Sequence, residues 1–234
     1  MFTIFHQKQD IDIFFSEKKH GPMRLKQPNN HQNRLKFLTK NQIPTNQCCF
    51  AQLSHSNLCR KVSGSSKVQF IKGDALLTKA TNLFLFVTVS DCLPVFFYEP
   101  EQKIIAVAHA GWKGIYLGII ENCLQAIKKC NGRLKKTLVG IGPGIGSCHF
   151  EIKSDLAKKF KLYDQCIKKV DNRLYLNLKA VIKIKAFQAG VLSDNFENVD
   201  LCTFCHPERF FSFRRDQPKH VQPMLAGIVR YKPS

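Results

Sequence analysis

Short apolar runs separated by Gly, Asp, Asn or Pro fill the middle of the chain from residue 68 onward. Runs of this length, rich in Val, Ile, Leu and Phe, are typical of β-strands. The pattern predicts strands at VQFI (68–71), ALLT (75–78), LFLFVTVS (83–90), LPVFFY (93–98) and KIIAVAHA (103–110). A further strand runs into the glycine-rich bend of TLVGIGPGIG (137–146). The centre of the chain is therefore predicted to form a sheet.

Helical spacing of apolar residues marks four other segments. They are NRLKFLTKN (33–41), GIYLGIIENCLQAIKKCNG (114–132), SDLAKKFKL (154–162) and LKAVIKIKAFQAG (178–190). The second and fourth end at glycine, which favours helix termination. Strand composition returns in the tail at VDLCTFC (199–205), RFFSFRR (209–215) and MLAGIVRY (224–231). Strands and helices are intermixed without strict alternation, which predicts an α+β fold with mixed β-sheets.

The length and composition are those of an ordinary globular protein. The 234 residues are predicted to form a single catalytic domain, 1–234, with a polar, variable N-terminal segment at about 1–47. The mean hydropathy is −0.19, and polar residues interrupt the N-terminal MFTIFHQKQDIDIFF before an apolar leader can form. We therefore expect a cytoplasmic protein with no membrane partner, whose ten cysteines are mostly reduced.

The charge is strongly positive, with 36 Lys and Arg against 17 Asp and Glu, a net charge of +19. Such a field attracts phosphate-bearing partners. The lysines occur as scattered pairs on segments that resemble solvated helix faces, which favours a solvated surface over a nucleic-acid interface. A basic binding protein without catalytic activity remains an alternative interpretation.

Three candidate metal ligands lie near predicted strand ends. His109 closes an apolar strand and is followed by Gly111, while Cys92, with Asp91 beside it, lies between two strands. His55 precedes the sheet in a polar stretch. Two His and one Cys suit a catalytic Zn²⁺ with one open coordination position. Taken singly, a cysteine is often a small buried apolar residue and a histidine is often only hydrogen-bonded, so both interpretations stay open at this point.

Five motifs in fixed order carry a family resemblance. They are GDALLT (73–78), SDCLPV (90–95), AHAGWKG (108–114), GIGPGIGSCHFEI (140–152) and CTFCHPERFFSFRRD (202–216). Together they resemble the family known as multicopper polyphenol oxidase or laccase-like, and also as zinc-dependent purine nucleoside phosphorylases. The expected fold is then a layered sandwich of mixed sheets with outer helices, αββα. The resemblance implies that His55, Cys92 and His109 bind the metal, with zinc expected and copper as the alternative.

The resemblance also implies activities and partners. Family members cleave adenosine and methylthioadenosine with phosphate and deaminate adenosine, which implies a purine nucleoside and phosphate as small-molecule partners. Arg214 and Arg215 are predicted to bind phosphate, because guanidinium pairs with phosphate oxygens. Cys92, His109 and Asp91 are the predicted catalytic residues, with Asp91 orienting a ligand or accepting a proton. The oligomeric state is left open.

Other chemistries use the same residues. Cys92 could act as a nucleophile activated by His109 in an amide hydrolase without metal, a role attached to relatives that edit peptidoglycan precursors. A copper-dependent polyphenol oxidase ranks lower, because the sequence has no set of histidine pairs for several coppers. Cys202 and Cys205 have the CxxC spacing of a metal or redox site. No second pair follows at zinc-finger distance, which favours a structural role for them.

The sequence departs from the family pattern at both ends. The usual N-terminal Gly-Gly-Val-Ser turn is replaced by FFSEKKHGPMRL (14–25), and QPKHVQPML (217–225) stands where Thr-Gly-Arg is expected after RRD. The predicted metal ligands are retained. We therefore expect phosphorolysis to be the more fragile of the implied activities.

Overall fold

A computed structural model describes residues 4–5, 8–25, 28–64 and 66–232, so the predicted variable segment 1–47 lies partly outside the described residues. The strands are β1 Ile11–Phe15, β2 Cys48–Gln52, β3 Cys59–Lys61, β4 Gln69–Lys72, β5 Ala75–Thr78, β6 Phe84–Val89, β7 Leu93–Glu99, β8 Ile104–Ala110, β9 Leu138–Ile141, β10 Glu151–Ile152, β11 Ile167–Val170, β12 Arg173–Leu176, β13 Phe196–Asn198 and β14 Met224–Arg230. The α-helices are α1 Pro28–Lys40, α2 Trp112–Tyr116, α3 Ile119–Lys129, α4 Ser154–Lys159, α5 Leu178–Gln188 and α6 Phe213–Asp216. Short 3-10 helices cover Lys18–His20, Thr45–Gln47, Leu134–Lys136, Lys161–Cys166 and Ser193–Asn195.

Two large mixed sheets form the body of the protein. One has the strand order β1-β14-β6-β2-β4, and the other has the order β13-β9-β7-β8-β5-β3. In the first sheet β2 runs parallel to β4 and β6, whereas β14 is antiparallel to both of its neighbours. A small third sheet joins β10, β12 and β11. The predicted α+β class with mixed sheets is confirmed.

Alternating side chains divide the core into layers. On β6, Leu85 and Val87 belong to the cluster between the two large sheets, while Phe84 and Phe86 pack on the opposite face with residues of α1. Successive strand residues point to opposite faces, so a strand that is apolar at every position is buried on both sides. This burial explains why the predicted strands are continuous apolar runs.

The second large sheet is covered by helices on its outer face. Its inner face contributes Ile105 and Val107 to the cluster shared with the first sheet. Its outer face packs against Ile120, Leu124 and Ile127, which recur at helical spacing on α3. The order of layers is helix, sheet, sheet, helix, which confirms the expected αββα sandwich.

Two predictions from composition need correction. The segment predicted as one helix over 114–132 is two helices, because Gly118 has φ +91° in the left-handed region and separates α2 from α3. The tail is a strand only at β14. Residues 199–205 form a loop with a single bridge from Cys202 to Gly144, and residues 213–216 form helix α6. Within the described ranges no helix has the length and apolar character needed to span a bilayer.

Candidate metal centre and substrate cavity

The fold brings the three predicted ligands together at the ends of neighbouring strands. His109 is the penultimate residue of β8 and pairs with Pro94 of β7, while Cys92 lies in the turn just before β7. His55 lies in the loop that follows β2. The candidate ligand atoms of His55, Cys92 and His109 all lie within 4.8 Å of one another. Residues up to 54 positions apart thus converge at one edge of the sandwich.

Asp74, which the sequence reasoning missed, organises this centre. The side chain is fully buried, and Oδ1 accepts hydrogen bonds from the His55 backbone N–H (2.9 Å) and from His109 Nδ1 (3.1 Å). Oδ2 accepts from the backbone N–H of Ser54 (3.2 Å) and Ser56 (2.8 Å) and from both serine hydroxyls. Burial opposes ionisation, but these hydrogen bonds hold the pKa of Asp74 well below its usual value. Little in the sequence pointed to this role, because an aspartate that bounds a strand is common.

The Asp74 carboxylate also fixes the backbone of the ligand loop. His55 has φ +54°, a left-handed conformation that is uncommon for residues other than glycine. The hydrogen bonds from residues on both sides of His55 to one carboxylate stabilise this conformation. Because Nδ1 of His109 donates to Asp74, the other ring nitrogen, Nε2, is the one that can bind a metal.

Two of the candidate ligands, Cys92 and His109, influence each other's ionisation. Burial opposes ionisation of the Cys92 thiol, but His109 and His55 outweigh it and lower its pKa to about 6. Burial also opposes the charge on His109, yet Cys92 and Asp74 raise its pKa to about 9. Without metal, Cys92 and His109 therefore form a thiolate–imidazolium pair. A thiolate and imidazole nitrogens are the ligands that zinc prefers.

The packing around Gly111 explains why a glycine lies two residues after His109. A Cβ atom at this position would lie 2.8 Å from Cys92 Sγ and 3.7 Å from His109 Cε1. The first distance is shorter than van der Waals contact. The centre therefore has room only for glycine there.

A cavity of about 690 Å³ opens above the three ligands. Its apolar wall includes Trp112, Phe150, Leu156 and Phe213, and the ligands lie among its lining residues. A volume of this size suits a small organic molecule, and aromatic walls suit a flat, partly apolar one.

The two predicted phosphate ligands have different surroundings. Arg214 lines the cavity, where Nη1 donates to the carbonyl oxygens of His149 (3.2 Å) and Glu151 (3.0 Å) and the guanidinium lies over Phe150. Arg215 is not among the residues that line the cavity. Its guanidinium donates to the carbonyl oxygens of residues 203, 204 and 210 and pairs with Asp216. It therefore holds loops together, and of the two predicted arginines only Arg214 lines the cavity, which Arg24 also lines.

Asp91 supports the segment that carries Arg214. Its Oδ1 accepts a hydrogen bond from Thr203 Oγ1 (2.6 Å), and its Oδ2 accepts from Ser212 Oγ (3.1 Å) and the Arg214 backbone N–H (2.7 Å). Asp74, not Asp91, is the carboxylate that contacts His109. The role predicted for Asp91 in orienting a ligand or accepting a proton stays a prediction.

Sequence comparison finds one family over most of the chain. A family model described as multi-copper polyphenol oxidoreductase laccase matches residues 26–229. Purine nucleoside phosphorylase LACC1 of Mus musculus is 34% identical over 150 residues, which are 61% of this chain and 35% of that protein. The chain thus spans about a third of the length of the mouse relative. A purine nucleoside phosphorylase of Staphylococcus aureus strain COL is 30% identical over 208 residues, 85% of this chain and 69% of that protein.

Solved structures share the same architecture. The hypothetical protein YfiH of Bacillus licheniformis superposes with a TM-score of 0.86 at 27% identity, covering 95% of this chain and 93% of that one. YlmD of Geobacillus stearothermophilus gives a TM-score of 0.89 at 22% identity, covering 96% and 93% of the two chains. At that identity the second likeness supports the fold alone.

Proposed function

The chain belongs to the multi-copper polyphenol oxidoreductase laccase family, and from this membership we propose that it is a zinc-dependent purine nucleoside phosphorylase. The observation that carries the proposal is the placement of His55, Cys92 and His109 among the lining residues of a cavity with aromatic walls. Relatives named purine nucleoside phosphorylase, at 30% and 34% identity, support the same substrate class.

The donor set fits zinc. Three ligands from two histidines and one cysteine leave one tetrahedral position open, as in catalytic zinc sites. The Asp74 contact to His109 is the carboxylate–histidine arrangement that orients metal-binding imidazoles. When bound, Zn²⁺ would act as a Lewis acid at neutral pH. Copper is the alternative metal for the same three ligands.

Other residues of the chain have proposed roles in binding the purine and the phosphate. Trp112, Phe150 and Phe213 offer aromatic faces against which a purine can stack. Arg214 supplies a cation for phosphate, and Asp91 positions it through the backbone N–H. In the proposed reaction a phosphate oxygen bonds to C1′ of the nucleoside, the C1′–N9 bond breaks, and its electron pair leaves with the base, which takes up a proton. Methylthioadenosine would react in the same way, whereas in deamination water adds to C6 of adenosine and ammonia leaves, which gives inosine.

Product analysis tests this proposal. Purified, zinc-replete protein is incubated with adenosine and phosphate, and the products are separated by chromatography. Adenine with ribose 1-phosphate supports phosphorolysis, inosine supports deamination, and both should be lost in Cys92→Ala. Arg133→Ala, a change at an exposed arginine paired with Glu101, is the matched control. If the wild-type protein forms neither adenine nor inosine, the assignment to purine nucleosides is wrong.

A second candidate is a metal-free Cys–His amide hydrolase that acts on peptidoglycan precursors. The thiolate–imidazolium pair of Cys92 and His109 favours it, because the lowered pKa of Cys92 makes its thiolate available as a nucleophile. A chelator distinguishes the two. Amide hydrolysis that survives chelation and is abolished by thiol alkylation supports the hydrolase, whereas phosphorolysis that is lost to the chelator and restored by zinc supports the phosphorylase.

For either function, we propose that residues 1–234 form a single catalytic domain that acts in the cytoplasm.

A further inference from the structure

A second group of candidate metal-ligating side chains lies outside the lining of the cavity. Cys148 and His149 follow the glycine-rich bend after β9, and Cys202 and Cys205 belong to the loop before α6. Their candidate ligand atoms all lie within 4.8 Å of one another. The sequence offered no partner for the CxxC pair at zinc-finger spacing. The partner is a Cys-His pair more than fifty positions earlier, since Cys148 and Cys205 are 57 residues apart.

We propose that Cys148, His149, Cys202 and Cys205 form a structural Zn²⁺ site with four protein ligands. The Sγ atoms of Cys148 and Cys205 are 3.6 Å apart, and Cys205 Sγ is 3.3 Å from His149 Nδ1. Tetrahedral zinc with ordinary bond lengths gives S···S edges of about 3.8 Å and S···N edges of about 3.5 Å. Three cysteines and one histidine are a ligand set of closed structural zinc sites.

The surroundings of the four ligands suit a bound metal. The Gly146 N–H donates to Cys202 Sγ at 3.2 Å, and such a hydrogen bond stabilises a metal-binding thiolate. The His149 ring is stacked on Phe204 with centroids 3.9 Å apart, which fixes its orientation. A Cβ at Gly146 would lie 3.1 Å from Cys148 Sγ and 3.3 Å from Cys202 Cβ, so a larger residue would crowd the site.

A buried lysine, Lys179, lines a small cavity together with Gly146 and Ser147, next to the proposed site. Zn²⁺ with three thiolates and a neutral imidazole carries one net negative charge. Lys179 is buried, donates from Nζ to the Val199 carbonyl oxygen at 2.6 Å, and lies 3.9 Å from Asp200 Oδ1; burial lowers its pKa, although Asp200, Cys202 and Cys148 favour the charged form.

The site would join two loops that support the substrate cavity. The His149 carbonyl oxygen accepts a hydrogen bond from Arg214, and Thr203, next to Cys202, donates to Asp91. A disulfide between Cys148 and Cys205 is the competing use of these residues. It would require the sulfur atoms to move from 3.6 Å to about 2.05 Å, and it would leave Cys202 and His149 unused.

Metal content of purified variants tests the site. We expect two zinc ions per chain in the wild-type protein and one in Cys205→Ser, an isosteric change at an exposed residue. Cys92→Ala should also retain one, and Cys130→Ser, outside both groups, should retain two. X-ray absorption of Cys92→Ala should show about three sulfur ligands and one nitrogen ligand, with Zn–S near about 2.3 Å.

The outcomes separate this site from the proposed catalytic centre. One zinc ion in the wild-type protein, retained in Cys92→Ala and lost in Cys205→Ser, supports the second site and contradicts the first. Equal zinc content in wild-type and Cys205→Ser protein would overturn the proposal. So would a Cys148–Cys205 disulfide in the mass spectrum of protein purified and denatured without reductant. Cys148→Ser repeats the test at a second exposed ligand.

Discussion

Asp74→Asn removes one charge while keeping the shape of the side chain that organises the metal centre. Asparagine has one acceptor oxygen and one amide group that only donates. If the amide faces the Oδ2 side, it meets two backbone N–H groups, from Ser54 and Ser56, which cannot become acceptors. We therefore expect the amide to face His55 and His109. The His55 N–H is then left facing a donor, which costs about 1–3 kcal/mol in the free energy of unfolding.

The more specific effect falls on the tautomer of His109. In the wild-type protein Nδ1 donates to Asp74, which leaves Nε2 free for a metal. Facing an amide donor, Nδ1 must accept, and in the neutral ring this places the proton on Nε2. Loss of such a carboxylate partner lowers metal affinity by about 10–100-fold, or about 1.4–2.7 kcal/mol.

The assay is a zinc competition titration against a chromophoric chelator. Measurement in a Cys205→Ser background restricts the signal to the centre formed by His55, Cys92 and His109. Asp171→Asn, an equal loss of charge in the exposed turn between β11 and β12, is the control. A zinc Kd for Asp74→Asn within twofold of the control, in a folded protein, would refute the role assigned to Asp74.

Further changes probe the cavity, the centre and the core. Arg214→Ala should raise the KM for phosphate far more than it changes deamination or zinc content, because the guanidinium faces the cavity. Equal loss of phosphorolysis and deamination would contradict this role, and Arg133→Ala is the control. In metal-free protein, site-resolved alkylation of Cys92 should follow a midpoint near pH 6, because the thiolate is the reactive form and persists down to that pH; zinc should block it. A midpoint near the ordinary thiol value of about 8.5 would contradict the ion pair with His109. Gly111→Ala should reduce zinc content, because its Cβ would lie 2.8 Å from Cys92 Sγ, and full zinc occupancy would show that the turn can adjust. Phe86→Ala should lower the free energy of unfolding by about 3–5 kcal/mol in denaturant titration, because the ring is fully buried; a loss under 1 kcal/mol would argue against the packing described for β6.

The local pattern of apolar residues was sufficient to predict the central strands. Strands β5, β6 and β8 lie within the predicted runs and β7 extends one residue beyond its run, because a strand buried on both faces is apolar along most of its length. The same rule failed in the tail, where the phenylalanine-rich residues 209–215 have strand composition. There Ser212 and Arg214 donate hydrogen bonds to Asp91, and residues 213–216 form helix α6 instead of a strand. These hydrogen bonds link residues more than 120 positions apart, so a pattern within a short stretch of sequence cannot predict them.

The ordered motifs predicted His55, Cys92 and His109 as metal ligands, and the structure brings these three side chains together. Only the tertiary structure distinguished Arg214 from Arg215, because consecutive residues of a helix point about 100° apart and the sequence does not show which faces the cavity. The tertiary structure also revealed Asp74 as the shared acceptor. Local sequence is enough to predict strand positions and candidate residue types. Which arginine faces the cavity and which carboxylate contacts His109 depend on which distant loops meet when the two sheets pack.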